Sequence, residues 1–96
     1  MNIKFHSEAR IELIETAKYY ENQEIGLGNN FIDEIENTIK VISQQPFAGK
    51  KISDGERRFL VSRFPYGIIY SVENNLIIIY AIMNLKRKPE YWTTRV

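Results

Sequence analysis

The chain has no cysteine and a single histidine, His6. A disulfide framework and thiolate metal sites are therefore excluded, and one imidazole cannot build a histidine-rich metal centre. No apolar run approaches the roughly 18 residues that a membrane-spanning helix needs. The opening residues, Met1-Asn2-Ile3-Lys4-Phe5-His6, lack the apolar stretch of a signal peptide. The expectation is a cytoplasmic protein with no membrane partner. Five glycines and three prolines are too few for a low-complexity segment or linker. The pair in Gly26-Leu27-Gly28 lacks both the preceding strand and the third glycine of a dinucleotide-binding loop. Neither a cofactor nor a metal is expected. Ninety-six residues suffice for one domain over 1–96 with a modest core of its own.

Net charge is also nearly missing, at +1, but its distribution is not bland. Residues 1–48 carry four cations against eight carboxylates, and residues 49–96 carry nine cations against four carboxylates. Such asymmetry points either to a basic face for an anionic partner or to two halves that neutralise each other across the fold.

The organising stretch runs from Arg57 to Trp92, which holds most strand-forming residues, most cations and the only tryptophan. Before it, Ile3-Lys4-Phe5 alternates as a short strand. Ser7 offers an N-cap for a helix from about Glu8 to Asn22, with Leu13, Ile14, Ala17 and Tyr20 as its apolar stripe. A second helix follows Gly26-Leu27-Gly28 and ends before Pro46, with Phe31, Ile35, Ile39 and Ile42 on one side. The short link implies a helical hairpin, whose combined apolar face needs a sheet. Residues 44–55 read as a loop.

Three strands are then expected: Arg58 to Arg63, Gly67 to Glu73, and Leu76 to Met83. Asn74-Asn75 suits a type I′ turn, which pairs Glu73 with Leu76, Ser71 with Ile78 and Ile69 with Tyr80. The almost unbroken apolar run of the last strand marks it as covered on both faces and interior to the sheet. The direction of the N-terminal strand is left open. The predicted class is α+β, in the order β-α-α-β-β-β. A helical hairpin packs on a mainly antiparallel four-stranded sheet that continues into a basic C-terminal tail.

For chemistry, His6 lies at a strand–helix junction, where capping or packing explains it. The carboxylates of the first half read as helix surface. What remains is a cationic and aromatic set: Arg57, Arg58, Arg63, Lys86, Arg87, Lys88, Tyr91 and Trp92. Arginine binds phosphate or carboxylate through paired hydrogen bonds, and the aromatics can stack on bases. Alternatively, Tyr91 and Trp92 pin the tail onto the sheet while the cations are solvated.

Spread over nearly the whole chain are Phe5-His6-Ser7-Glu8-Ala9, Ala17-Lys18-Tyr19-Tyr20-Glu21, and Gly26-Leu27-Gly28 with Phe31 and Glu34. Arg57-Arg58-Phe59-Leu60-Val61, Arg63-Phe64-Pro65-Tyr66, Ile69-Tyr70 and Lys86-Arg87-Lys88-Pro89 with Tyr91-Trp92 continue the series. In these residues and in element order the chain resembles the RelE/ParE superfamily of toxins from bacterial type II toxin–antitoxin (plasmid stabilisation) modules. The resemblance implies growth arrest by a toxin that a cognate antitoxin neutralises, with operator DNA contacted only through the antitoxin. It implies one of two targets. RelE-like members cut mRNA on the ribosome; ParE-like members inhibit DNA gyrase without nuclease chemistry. If the chain cuts RNA, Arg87 and Tyr91 match the C-terminal basic residue and tyrosine of such a site. However, Gly67 follows Tyr66 where a cutting member carries an arginine, and Asn84 stands where many relatives have a histidine. These two departures favour the ParE-like reading. Antitoxin docking is expected on apolar surface of the sheet or hairpin, with a salt-sensitive contribution from the basic half.

Overall fold

The computed structural model describes residues 1–96. Its elements are β1 (Asn2–Phe5), α1 (Ser7–Gln23), α2 (Leu27–Gln44), β2 (Lys50–Lys51), β3 (Arg57–Leu60), β4 (Tyr66–Glu73) and β5 (Leu76–Asn84), with a 3₁₀ turn at Thr93–Arg95. They form one sheet in the order β1-β5-β4-β3-β2. The α+β class and element order are as expected, but the sheet has five strands rather than four. The extra one is Lys50–Lys51, inside the expected loop, which pairs antiparallel with Arg58 and Arg57. Two residues carry no readable alternation, so the pattern could not announce them. β1 runs parallel to β5, pairing Asn2–Phe5 with Leu76–Ile79, and every other pairing is antiparallel.

The helices cover one face of the sheet. In α2 the buried residues Phe31, Ile35, Thr38 and Ile42 recur at helical spacing. Full burial of such apolar side chains contributes about 1.5–3 kcal/mol each. Thr38 satisfies its hydroxyl by donating to the Glu34 carbonyl at 2.6 Å. In α1 the inward stripe is Ala9, Leu13, Ala17 and Tyr20. Ile14, expected within it, is 48% exposed, because it lies about 100° around the helix from Leu13. The N-cap is His6 rather than Ser7: its Nδ1 accepts from the Glu8 backbone N–H at 3.1 Å. An imidazole nitrogen thus does the work that the Ser7 hydroxyl was expected to do.

The β4–β5 hairpin pairs as expected near its turn, with Glu73 opposite Leu76 and Ser71 opposite Ile78. Only Asn74 has positive φ, so the turn is not type I′, which needs two such residues. Further along, a bulge between Ile69 and Tyr70 puts Ala81, not Tyr80, opposite Ile69. Its effect on the core is large. Ile77 and Ile79 point to the helices, Tyr80 and Ala81 to the opposite face, then Ile82 back to the helices and Met83 away. A single extra residue reverses the parity of the strand. The second face so created is covered by Trp92, which is 4% exposed against Ile69, Tyr80, Ala81 and Met83.

The β2 region is tied down by Tyr70, whose hydroxyl donates to the Pro46 carbonyl at 2.8 Å and accepts from the Gly49 N–H at 3.1 Å. Tyr70→Phe is expected to cost about 2 kcal/mol, since it strands a half-buried carbonyl and a buried N–H together. Urea denaturation of the two proteins checks this.

Candidate functional site

The tail does not project from the sheet. After Asn84 it turns back under the face opposite the helices, and the Trp92 indole N–H donates to the Pro89 carbonyl at 2.6 Å. The aromatics thus pin the tail, as one of the two expectations held. The eight cationic and aromatic residues do not form one patch.

Arg57 points to the helix side of β3. Its Nη1 donates to the carbonyls of Phe47 at 3.0 Å and Gly49 at 2.9 Å, and its guanidinium lies 5.3 Å from the Phe47 ring centroid. It anchors the loop before β2. Arg63, in the left-handed region at φ 70°, bridges to Glu34 at 3.3 Å with its own side chain 62% exposed. A pair so solvated contributes little. Lys86 and Lys88 are exposed.

Arg58 faces the other way, towards Trp92. Its stem crosses the backbone of β4: a Cβ at Gly67 would meet Arg58 Cγ at 3.1 Å and Cδ at 3.3 Å. The absent side chain at Gly67 is therefore what lets a neighbouring strand lay an arginine over this spot.

Arg87 and Tyr91 do come together. The Arg87 guanidinium stacks 3.8 Å from the Tyr91 ring centroid, and Tyr91 Oη donates to Glu12 Oε2 at 2.8 Å. Arg87 also lies 3.7 Å from the same oxygen. Sequence reasoning missed both remaining members of this cluster, Glu12 and Arg95. Glu12 was assigned to helix surface, but its side chain is only 14% exposed. Arg95 donates to both its oxygens, at 2.9 and 3.0 Å. One signal was present: Glu12 lies three residues after Ala9 and next to Leu13, at the border of the true inward stripe.

This cluster has a backbone purpose. β1 pairs with β5 only as far as Ile79. Beyond that point the β5 edge has no strand beside it. Glu12 Oε1 accepts from the Ile82 N–H at 3.0 Å, and Arg95 donates to the Tyr80 carbonyl at 3.0 Å. The ion pair stands in for the missing strand and blunts an otherwise open edge.

Burial, then the bond to Glu12, push the Tyr91 phenol well above its ordinary range. Burial alone would lower Arg95, but its bonds to Glu12 outweigh this and leave its pKa raised. Tyr20 and Tyr70 are also raised, mainly by burial. A raised phenol pKa means that the unfolded chain releases its proton first. The stability these phenols contribute is present below pH 10 and is lost as pH climbs beyond it. The urea midpoint is expected to fall between pH 9 and pH 11, and less so in Tyr91→Phe; a midpoint constant over that window would contradict the cluster.

No helix is long and apolar enough to cross a membrane, and no group of three or more acidic, histidine or cysteine side chains is placed to hold a metal ion. A family model described as the ParE toxin of the type II toxin–antitoxin system parDE matches residues 3–89. Among solved structures, one described as the chromosomal ParDE TA system from P. aeruginosa shares the fold. It has a TM-score of 0.74 and 22% identity, covering 88% of this chain and 95% of that one. No curated protein matched the sequence. The family match runs from β1 through the whole sheet into the start of the tail, and the chain belongs to the ParE toxin family of type II toxin–antitoxin systems.

Proposed function

We propose that this chain is the toxin of a ParE-type module, acting by binding DNA gyrase and neutralised by a cognate antitoxin. Family membership favours this over RelE-like RNA cleavage. The observation that carries it is the state of Tyr91. The hydroxyl that a nuclease would use is committed to Glu12 and holds its proton far above neutrality. Arg87 is stacked on the same ring and leans towards the same Glu12 carboxylate. Asn84, at the end of β5, cannot exchange a proton near pH 7, and its side-chain amide faces Tyr66 Oη at 3.5 Å. General acid–base cleavage needs a group poised near the working pH.

This reading also gives the antitoxin a seat, at the β1 edge of the sheet beside α1 and α2. An open groove of about 460 Å³ lies between β1 and the two helices, walled by Ile3, Phe5, Leu13, Ile32, Ile35 and Ile39, with Glu36 and Lys40 beside them. An apolar centre with charges at its rim fits a protein partner. The purified chain is expected to inhibit gyrase supercoiling and to leave ribosome-bound mRNA intact. Unchanged supercoiling at saturating toxin would remove the gyrase reading; cut mRNA would restore the nuclease one.

A further inference from the structure

The second sheet face contains a cavity that the family assignment does not explain. Between β3, β5 and the folded-back tail lies a space of about 300 Å³. Its walls include Ile52, Ile69, Met83 and Trp92, with Arg58 as its only cation and Glu90 as its only carboxylate. The other arginines of the basic half have partners: Arg57 on loop carbonyls, Arg63 on Glu34, Arg87 and Arg95 on Glu12. Arg58 has none. It forms no ion pair, Glu90 included, and its Nε is sealed from solvent without a hydrogen-bond partner in the chain. Leaving a donor of a charged group desolvated and unpaired costs more than an ordinary lost hydrogen bond. The stem is held in place over Gly67, so the guanidinium is positioned before any ligand arrives.

We infer that this cavity receives a carboxylate side chain carried on an apolar protein segment, with Arg58 as its counter-ion and Trp92 as the wall against which the neighbouring apolar residue packs. The lining decides the ligand class. A phosphate backbone is held by several cations spaced along it, whereas one guanidinium in a mainly apolar cavity suits a single monoanionic carboxylate, and the Glu90 carboxylate in the same lining works against any more highly charged anion. The inference rests on the protein-binding reading above, but its test does not pass through gyrase.

The test follows the Arg58 Nε–H and Trp92 Nε1–H resonances by ¹⁵N NMR in the intact chain. The probes are the capped peptide Ac-Leu-Glu-Leu-NH₂, its Gln counterpart, inorganic phosphate and a short RNA oligonucleotide. The Glu peptide is expected to move both resonances and to bind about ten-fold more tightly than the Gln peptide, the margin of a charge-assisted hydrogen bond. Arg58→Lys should abolish most of that margin while the rest of the spectrum stays dispersed. Equal affinity for the two peptides would reduce the cavity to an apolar groove and overturn the inference. So would a response to phosphate or RNA without one to the Glu peptide, or no response to any probe. Gyrase inhibition by a chain that fails this test would leave the proposed function standing and remove only the cavity's role. A chain that passes it without inhibiting gyrase would do the reverse.

Discussion

Glu12→Ala is expected to destabilise the protein by about 3–5 kcal/mol, the range for breaking a buried ion pair from one side. Three things are lost together. Arg95, with a side chain only 12% exposed, keeps its charge without its carboxylate. Tyr91 loses the acceptor of its hydroxyl. The Ile82 N–H, which no strand reaches, is left without a partner. For a domain of this length the change lowers the melting temperature by more than about 12 °C. Hydrogen exchange should rise first in the tail and at Ile82, not in α2. The double variant Glu12→Leu with Arg95→Met separates charge from backbone. Replacing both partners with apolar side chains removes the orphaned charge, so part of the loss is recovered. Recovery stays incomplete because the Tyr80 carbonyl and the Ile82 N–H still lack partners. If Glu12→Ala costs less than about 1 kcal/mol, the substitute-strand role is wrong.

That cluster also marks where the sequence stops being legible. The α+β order, the helical hairpin and the interior place of β5 follow from periodicity, because each is written in many residues at once. The parity of β5 is not. Leu76 to Met83 is apolar at nearly every position, so nothing in the pattern distinguishes one face from the other, and a bulge can enter unseen. The bulge matters, since it places Tyr80 and Ala81 on the same face and gives Trp92 its surface. The helix–sheet contact made by Glu12 was hidden for another reason. A carboxylate in an exposed-looking helix is ordinary, and its partners lie 70 to 83 residues away in sequence. Spacing rules read neighbours within a few turns; they do not reach that far.

The basic half was legible as composition but not as a site. Its charge suggested one anion-binding face. Folding divides it among a loop anchor at Arg57, a solvated pair at Arg63, an edge cap at Arg95 and a cavity at Arg58. Only the last is left with its donors uncommitted. The positions read as losses, Gly67 and Asn84, carry different lessons. Asn84 brings no titratable group to the end of β5. Gly67 is the opening through which Arg58 reaches across from the neighbouring strand, a relation invisible until β3 and β4 are in register.

Gly28→Val is the second substitution expected to have a large effect, at about 3 kcal/mol, and its cause is steric. Gly28 sits at the start of α2, packed against Ala17 and Glu21 of α1. A Cβ there would lie 2.5 Å from the Ala17 carbonyl oxygen and 3.0 Å from Glu21 Cβ. The first of these is backbone and cannot rotate aside. Valine adds two methyl groups to that clash, and overpacking of this kind costs about 1–3 kcal/mol or more. The same substitution disturbs the turn before it. Glu21 accepts from the Gly26 N–H at 2.9 Å and from the Gly28 N–H at 3.0 Å, capping two donors that α2 leaves open at its N-terminus. Pushing α2 away breaks both bonds. Gly26, by contrast, has nothing within 4 Å of an added Cβ, but its φ of +88° belongs to the left-handed region. Gly26→Ala should therefore cost about 1 kcal/mol, through backbone conformation rather than contact. The two glycines flank one leucine and serve different physical needs, and the pair of urea titrations distinguishes them. Gly28→Val losing no more stability than Gly26→Ala would mean that the helices can separate at their crossing without cost. The groove between β1 and the hairpin is walled by Leu13 of α1 and by Ile32 and Ile39 of α2, so its width follows the spacing of the two helices. Loss of antitoxin affinity in Gly28→Val at temperatures where the variant remains folded would support the groove as the proposed antitoxin seat, and unchanged affinity would count against it.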